Sequence, residues 1–167
     1  MKIRFVSSGC RTCLMGLVLV AAGSVASADL SQIETTRARF MELHPTTKML
    51  KSSEGQVRRI YGTAFGHGEN PLDAAASFKD RWSDIYGVPA TQLVPTPLEE
   101  GRSHLQPIVY RQESDAYQFT GAYYSQQIDG VPVYGTRLCV LVRNEPGYPV
   151  VLASSQLKQT GDWAPGA

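Results

Sequence analysis

The chain has 167 residues, which suits one domain of ordinary size, and 43% of them are hydrophobic, as in typical globular proteins. Its 16 basic and 15 acidic residues leave a formal net charge of +1. This balance gives no electrostatic reason to expect a protein that binds nucleic acid or an anionic membrane.

Residues 1–28 have the pattern of a secretory signal peptide. The pattern consists of a basic segment (Lys2, Arg4, Arg11), an apolar run (residues 14–22) and an A-x-A cleavage site (residues 26–28). The run is too short to span a membrane. We therefore expect a secreted or periplasmic protein that begins at Asp29, with no membrane attachment after cleavage. A retained membrane-anchoring helix is the alternative.

The predicted cleavage site also separates the three cysteines. Cys10 and Cys13 form a C-x-x-C motif, but cleavage would remove it. Cys139 then remains alone, so no internal disulfide can form and the core must hold the domain together. Cys139 lies within an apolar strand pattern, which favours a small sheet residue over a nucleophile.

Two helices are predicted in the first half of the chain. The first covers residues 31–44, with an apolar stripe at Ile33, Phe40 and Leu43. A polar loop is expected from there to residue 55, and a strand at residues 56–61. The second helix covers residues 71–86, with Asn70 as N-cap and Gly87 at the C-terminal end. Residues 90–103 contain prolines and glycine and indicate an irregular connection.

Alternating apolar residues predict an antiparallel hairpin around Asp129-Gly130 and a last strand at residues 150–157. A two-residue turn pairs Tyr117 with Val142, Phe119 with Val140, Gly121 with Leu138 and Tyr123 with Thr136, which makes these residues one core face. Val131-Pro132 offers an alternative, in which a wider turn shifts the register.

These elements predict an α+β fold, with an antiparallel sheet of about four strands packed on the helix at residues 71–86 and an additional N-terminal helix. The opposite, mixed face of the hairpin is then free to bind a partner. The candidate binding residues on it are Gln118, Thr120, Gln126 and Arg137.

Three blocks resemble the fungalysin/thermolysin propeptide (FTP) domain, which precedes secreted metalloproteases. They are residues 57–62 (VRRIYG), residues 71–88 and residues 124–135 (YSQQIDGVPVYG), and the third is the most specific. The resemblance covers residues 56–158. It leaves residues 29–55 as an N-terminal helix and loop and residues 159–167 as a linker or tail.

The resemblance implies a non-catalytic prodomain that inhibits a thermolysin-like zinc metalloprotease or acts as its intramolecular chaperone, in cis or in trans. The chain itself contains neither the H-E-x-x-H zinc motif nor a G-x-S-x-G nucleophile motif. We therefore expect no catalytic residue, metal or cofactor in it. Two alternatives remain: an N-terminal fragment of a longer precursor, and a stand-alone ligand-binding module of the cell envelope.

Overall fold

A computed structural model describes residues 30–161 of the chain. They form an α+β fold in which two helices cover one face of a mostly antiparallel sheet of eight strands. The helices are α1 (Leu30–Leu43) and α2 (Pro71–Trp82). The strands are β1 (Lys48–Lys51), β2 (Val57–Tyr61), β3 (Leu93–Pro95), β4 (Leu105–Arg111), β5 (Ala116–Ile128), β6 (Val131–Pro132), β7 (Leu138–Arg143) and β8 (Val150–Ser155).

The main sheet has the strand order β1-β2-β8-β7-β5-β3, and β4 and β6 also pair with β5. The α+β class is confirmed, whereas the predicted number of about four strands is too low. β1 lies in the segment predicted as a loop, and β3 begins in the segment predicted as irregular. Both strands are short, three or four residues, and carry little periodicity for sequence analysis to detect.

The second helix agrees with its prediction in position and in capping. The Asn70 side chain accepts a hydrogen bond of 2.9 Å from the Asp73 N–H, and Pro71 occupies the first turn. After Trp82 the chain continues as a 3₁₀ turn to Tyr86, and Gly87 ends it with φ 73°. This φ is the left-handed conformation that glycine adopts without steric cost.

The first helix differs from its prediction on its buried face. Ile33 and Phe40 are buried as expected, but Leu43 is 50% exposed. Arg37 is buried with them, where its Nε donates a hydrogen bond of 3.0 Å to the Ile85 carbonyl and its guanidinium also pairs with Glu34. A buried arginine is tolerated here because its donors are satisfied.

The core lies between the helices and the sheet and is rich in aromatic side chains. The Phe40 ring contacts the Trp82 and Phe65 rings edge-on, at centroid distances of 5.1 and 5.7 Å. Beneath them, β7 contributes its even-numbered residues, of which Val140 and Val142 are fully buried. The prediction that Leu138, Val140 and Val142 share the core face is confirmed for β7.

The predicted register of β5 against β7 is wrong, although the predicted turn is present. Ile128 pairs with Val131 across Asp129-Gly130, whose φ values of 49° and 81° are those of a type I′ turn. The chain then leaves the hairpin at residues 133–137 before β7 begins. As a result Tyr124 pairs with Leu138, three residues out of the predicted register.

An odd shift exchanges the two faces of a strand, since side chains alternate with a period of two. The even-numbered residues of β5, including Ala122, Tyr124 and Gln126, therefore face the helices. Phe119, Tyr117 and Tyr123, predicted in the core, lie on the opposite face instead.

Candidate partner-binding surface

One face of the sheet carries no helix among residues 30–161, and we call it the open face. The contacts of α2 with the sheet are made on the other face, to β5, β7 and β8, and α1 packs beside α2 through Phe40 and Trp82. The strand register assigns the open face to the following residues: Lys48, Leu50, Arg59, Tyr61, Val94, Gln106, Ile108, Tyr110, Tyr117, Phe119, Gly121, Tyr123, Ser125, Cys139, Leu141, Arg143, Leu152 and Ser154. Arg137, just before β7, lies on the same side, because its charge acts on the Tyr123 and Cys139 side chains.

The middle of the open face is apolar. Tyr61, Leu152, Leu141 and Gly121 are neighbours in one row across four strands. A β-carbon built on Gly121 would lie 2.8 Å from Ile108 Cδ1, so the neighbouring side chains already fill the space above the glycine. The result is a continuous apolar surface.

Aromatic side chains extend this surface toward β4. The Tyr110 and Tyr117 rings meet edge-on with centroids 5.3 Å apart, and the two side chains are 52% and 45% exposed. Tyr134, in the turn after β6, is 92% exposed. Large exposed apolar patches on a folded domain are typical of interaction sites.

Cys139 lies on the open face, beside Tyr123 and Ser154 on the neighbouring strands. Burial raises the pKa of its thiol, although the Tyr123 hydroxyl and the Arg137 charge act in the opposite direction. A thiol with a raised pKa is protonated at neutral pH and is a poor nucleophile. The geometry thus agrees with a packing role for this residue.

The four predicted binding residues do not form one surface. Gln118 and Thr120 are partly exposed on the helix side, beyond the start of α2, where the Thr120 hydroxyl donates to Asn144 Oδ1 at 2.9 Å. Arg137 is exposed on the open face. The assignment of these four to a single face was therefore wrong, and the register shift is the reason.

Gln126 departs furthest from its predicted position, because it is completely buried. Its Nε2 donates to the Lys158 carbonyl at 3.0 Å and its Oε1 accepts from the Lys158 N–H at 3.2 Å. The same amide group contacts Gln92 Oε1 at 3.1 Å. These hydrogen bonds hold the segment after β8 against the sheet, and the buried Gln126 side chain cannot contact a partner.

Both outer edges of the sheet carry features that hinder the addition of another strand. β1 is only four residues long, with Lys48 and Lys51 at its ends. The other edge is shared by β3, which has three residues and ends at Pro95, and β4. β4 contains Pro107, which lacks an N–H, and Val109, whose φ of 56° breaks the regular strand. Lysine, proline and local irregularity are the usual means by which edge strands avoid pairing. Sequence analysis missed this signal because it had not identified β1 and β4 as edges.

His44 and His67 lie near each other, since the pKa of His44 is lowered by burial, by the charge of Arg81 and by that of His67. His44 packs against the Phe40 ring at a centroid distance of 4.8 Å, and His104 packs against the Tyr124 ring at 5.9 Å. Within residues 30–161 there is no group of three or more His, Cys, Asp or Glu side chains placed to hold a metal ion.

None of the helices within residues 30–161 is long and apolar enough to cross a membrane. The predicted signal peptide and the last six residues lie outside the described part of the chain.

Comparison of the chain with protein-family models, with curated proteins and with solved structures found no match. The open face is thus the feature of the described residues from which a function can be inferred.

Proposed function

We propose that this chain is a secreted or periplasmic, non-catalytic prodomain-type module that binds the catalytic domain of a thermolysin-like zinc metalloprotease. The observation that carries the proposal is the open face, an exposed apolar and aromatic sheet surface on a domain whose other sheet face packs against the helices. The binding occurs in cis or in trans, and it inhibits the protease or assists its folding.

The resemblance to FTP domains supplies the kind of partner. Its three blocks fall on β2, on α2 with the following 3₁₀ turn, and on the hairpin of β5 and β6. The first and third blocks contribute Tyr61 and Ser125 to the open face, while the second builds the helix layer behind it. The blocks therefore belong to the strands and the helix that build this surface and the layer behind it.

The mechanism follows from mass action. A module that binds the folded catalytic domain and not its unfolded chain stabilises the folded form in proportion to RT ln(1 + [L]/Kd). The same binding inhibits the protease where the module covers the substrate cleft. No bond is made or broken by the module, so it needs no catalytic side chain of its own.

The test uses the purified secreted chain and the mature thermolysin-like protease of the source organism. We expect no peptidase activity from the chain alone, inhibition of the protease at micromolar chain concentration, and a higher yield when the denatured catalytic domain is refolded with the chain present. A heat-unfolded sample of the same chain is the control. Failure to bind, to inhibit and to assist refolding at micromolar concentration would overturn the proposal.

A further inference from the structure

We infer that the open face recognises an acidic surface on its protein partner, and that Lys48, Arg59 and Arg137 select that surface. The inference rests on the proposed function, because the catalytic domain proposed there is the partner. It adds the chemistry of the contact, which the resemblance does not supply.

The charges on the open face are mostly of one sign. The face carries four cations, Lys48, Arg59, Arg137 and Arg143. Two carboxylates lie beside it: Glu145, which pairs with Arg143 at 3.0 Å, and Asp115, which accepts a hydrogen bond from the Tyr110 hydroxyl. Four positive charges and two negative charges give the face a net charge of +2. Among residues 30–161, no ion pair involves Lys48, Arg59 or Arg137.

The rest of the protein does not share this bias. Without its first 28 residues the chain has 13 basic and 15 acidic residues, a net charge of −2. The helix layer carries Glu34, Asp73 and Asp80 along with its cations. A cationic face on a slightly anionic molecule creates a directed field, which speeds association with an acidic surface and disfavours partners of the same sign.

The arrangement of the cations around an apolar centre favours a folded protein as partner. Arg59 lies in the row beside that of Leu141 and Leu152, and Arg137 lies one row further on the same side. Lys48 stands at the end of the leucine row, beside Tyr61. The cations thus border the apolar row, as a polar rim borders the apolar core of protein interfaces. Six strands lie side by side across the face, and five spacings of about 4.8 Å make it roughly 24 Å wide, the scale of a standard interface. Because both edges of the sheet disfavour the addition of a strand, we take the open face as the surface that binds the partner.

Two other occupants fit the face less well. A second copy of the chain would bring the same cations opposite one another. A polyanion such as nucleic acid is bound mainly through many phosphate contacts, whereas the open face offers three unpaired cations spread around an apolar centre. In addition, the Tyr110 and Tyr117 rings are engaged with each other, which leaves less ring surface for base stacking.

The experiment compares single charge reversals in the full secreted chain. Arg59→Glu and Arg137→Glu change exposed residues of the open face, while Arg39→Glu changes an exposed residue of α1 on the helix side. The probe is a catalytically inactive variant of the source organism's thermolysin-like protease, and Kd and the association rate are measured at low and high salt. Thermal unfolding of each variant checks that it is folded.

We expect each open-face reversal to weaken binding about tenfold, mostly through slower association, and to reduce its salt dependence. Arg39→Glu should bind like the wild type. Binding by the wild type that is unaffected by Arg59→Glu and Arg137→Glu would overturn this inference and leave the proposed function standing. Equal weakening by Arg39→Glu would also overturn it, since the effect would then be one of net charge.

The remaining outcomes would show that the open face binds something other than an acidic protein surface. If the wild type binds no protease, the proposed function fails and the inference with it. Tight binding to heparin that Arg59→Glu abolishes, without protease binding, would point to an anionic polymer. Self-association in analytical ultracentrifugation that Arg59→Glu abolishes would point to a second copy of the chain.

Discussion

At the scale of single residues, Gln126 shows how one polar side chain can organise a domain. It is fully buried, yet both ends of its amide group are hydrogen-bonded, chiefly to the Lys158 backbone. Buried polar groups are stable only when they are satisfied in this way. A glutamine in an alternating strand pattern gives no sign of such a role, because its partner is 32 residues away.

Replacing Gln126 by leucine should destabilise the protein by about 1–3 kcal/mol, since the Lys158 N–H and carbonyl would lose their buried partner. Gln118→Leu, at a partly exposed position, should change stability by about 0.5 kcal/mol or less. Urea unfolding followed by fluorescence measures both variants. Equal effects of the two substitutions would contradict the inference that Gln126 holds the segment after β8 against the sheet.

Two buried tyrosines make stability sensitive to high pH. Burial raises the pKa of Tyr86 far above its usual value, and burial followed by the charge of Asp80 raises the pKa of Tyr124 to about 12. Neither hydroxyl has a hydrogen-bond partner among the described residues. In the unfolded chain both phenols ionise near pH 10.

Above pH 10 the unfolded state therefore releases protons that the folded state retains, so stability is complete below pH 10 and falls as the pH rises toward 12. We expect a loss approaching about 1.4 kcal/mol per pH unit for each buried tyrosine. Urea unfolding at several pH values from 8 to 11 measures the slope. A double Tyr86→Phe and Tyr124→Phe variant should show a smaller slope, and an unchanged slope would refute the assignment.

At the scale of secondary structure, the loop at residues 133–137, between β6 and β7, decides which face of β5 is buried. Its key side chain is Thr136, whose hydroxyl accepts the Gln126 N–H at 3.1 Å and donates to the Val133 carbonyl at 2.7 Å. These two hydrogen bonds fix the conformation of the loop before β7 begins. The three-residue register shift, and with it the composition of the open face, depends on this small loop.

Thr136→Val keeps the shape of the side chain but removes both hydrogen bonds, and should cost about 1–3 kcal/mol because a buried N–H loses its acceptor. Thr120→Val, whose hydroxyl bonds at the surface, is the matched control and should cost less. Thermal unfolding compares the two. If Thr136→Val were as mild as Thr120→Val, the loop would not be what holds the register.

At the scale of the whole molecule, the N-terminal elements are part of the domain. The sequence suggested a unit that begins near residue 56, but Phe40 lies in the core and β1 extends the sheet beside β2. Arg37 also bonds the carbonyl of Ile85 in the turn after α2. One core and one sheet therefore include residues on both sides of that boundary.

A chain that begins at Gly55 should lose cooperative unfolding, because removal of Phe40 exposes the Trp82 and Phe65 rings. Truncation of a buried phenylalanine alone costs about 3–5 kcal/mol, a large part of a typical stability of about 5–15 kcal/mol. Calorimetry and dye binding would detect the change, with a chain that begins at Asp29 as the control. A sharp transition in the shorter chain would contradict this view.

What the sequence by itself determined is local. The cap at Asn70, the start of the second helix, the stop at Gly87, the Asp129-Gly130 turn and the buried face of β7 were all predicted, because capping, left-handed φ and alternation depend on neighbouring residues. The α+β class followed from the same patterns. Each of these features is set by interactions that span only a few positions of the chain.

Only the tertiary structure decided the register of β5, the burial of Gln126 and the charge of the open face. Register depends on how many residues a connection takes up, and a shift of three turns every side chain of a strand to the other side. Gln126 and Lys158 meet only after the chain has folded. Likewise, Lys48, Arg59 and Arg137 share a face only because β1, β2 and β7 lie in one sheet, an order set by packing between distant segments.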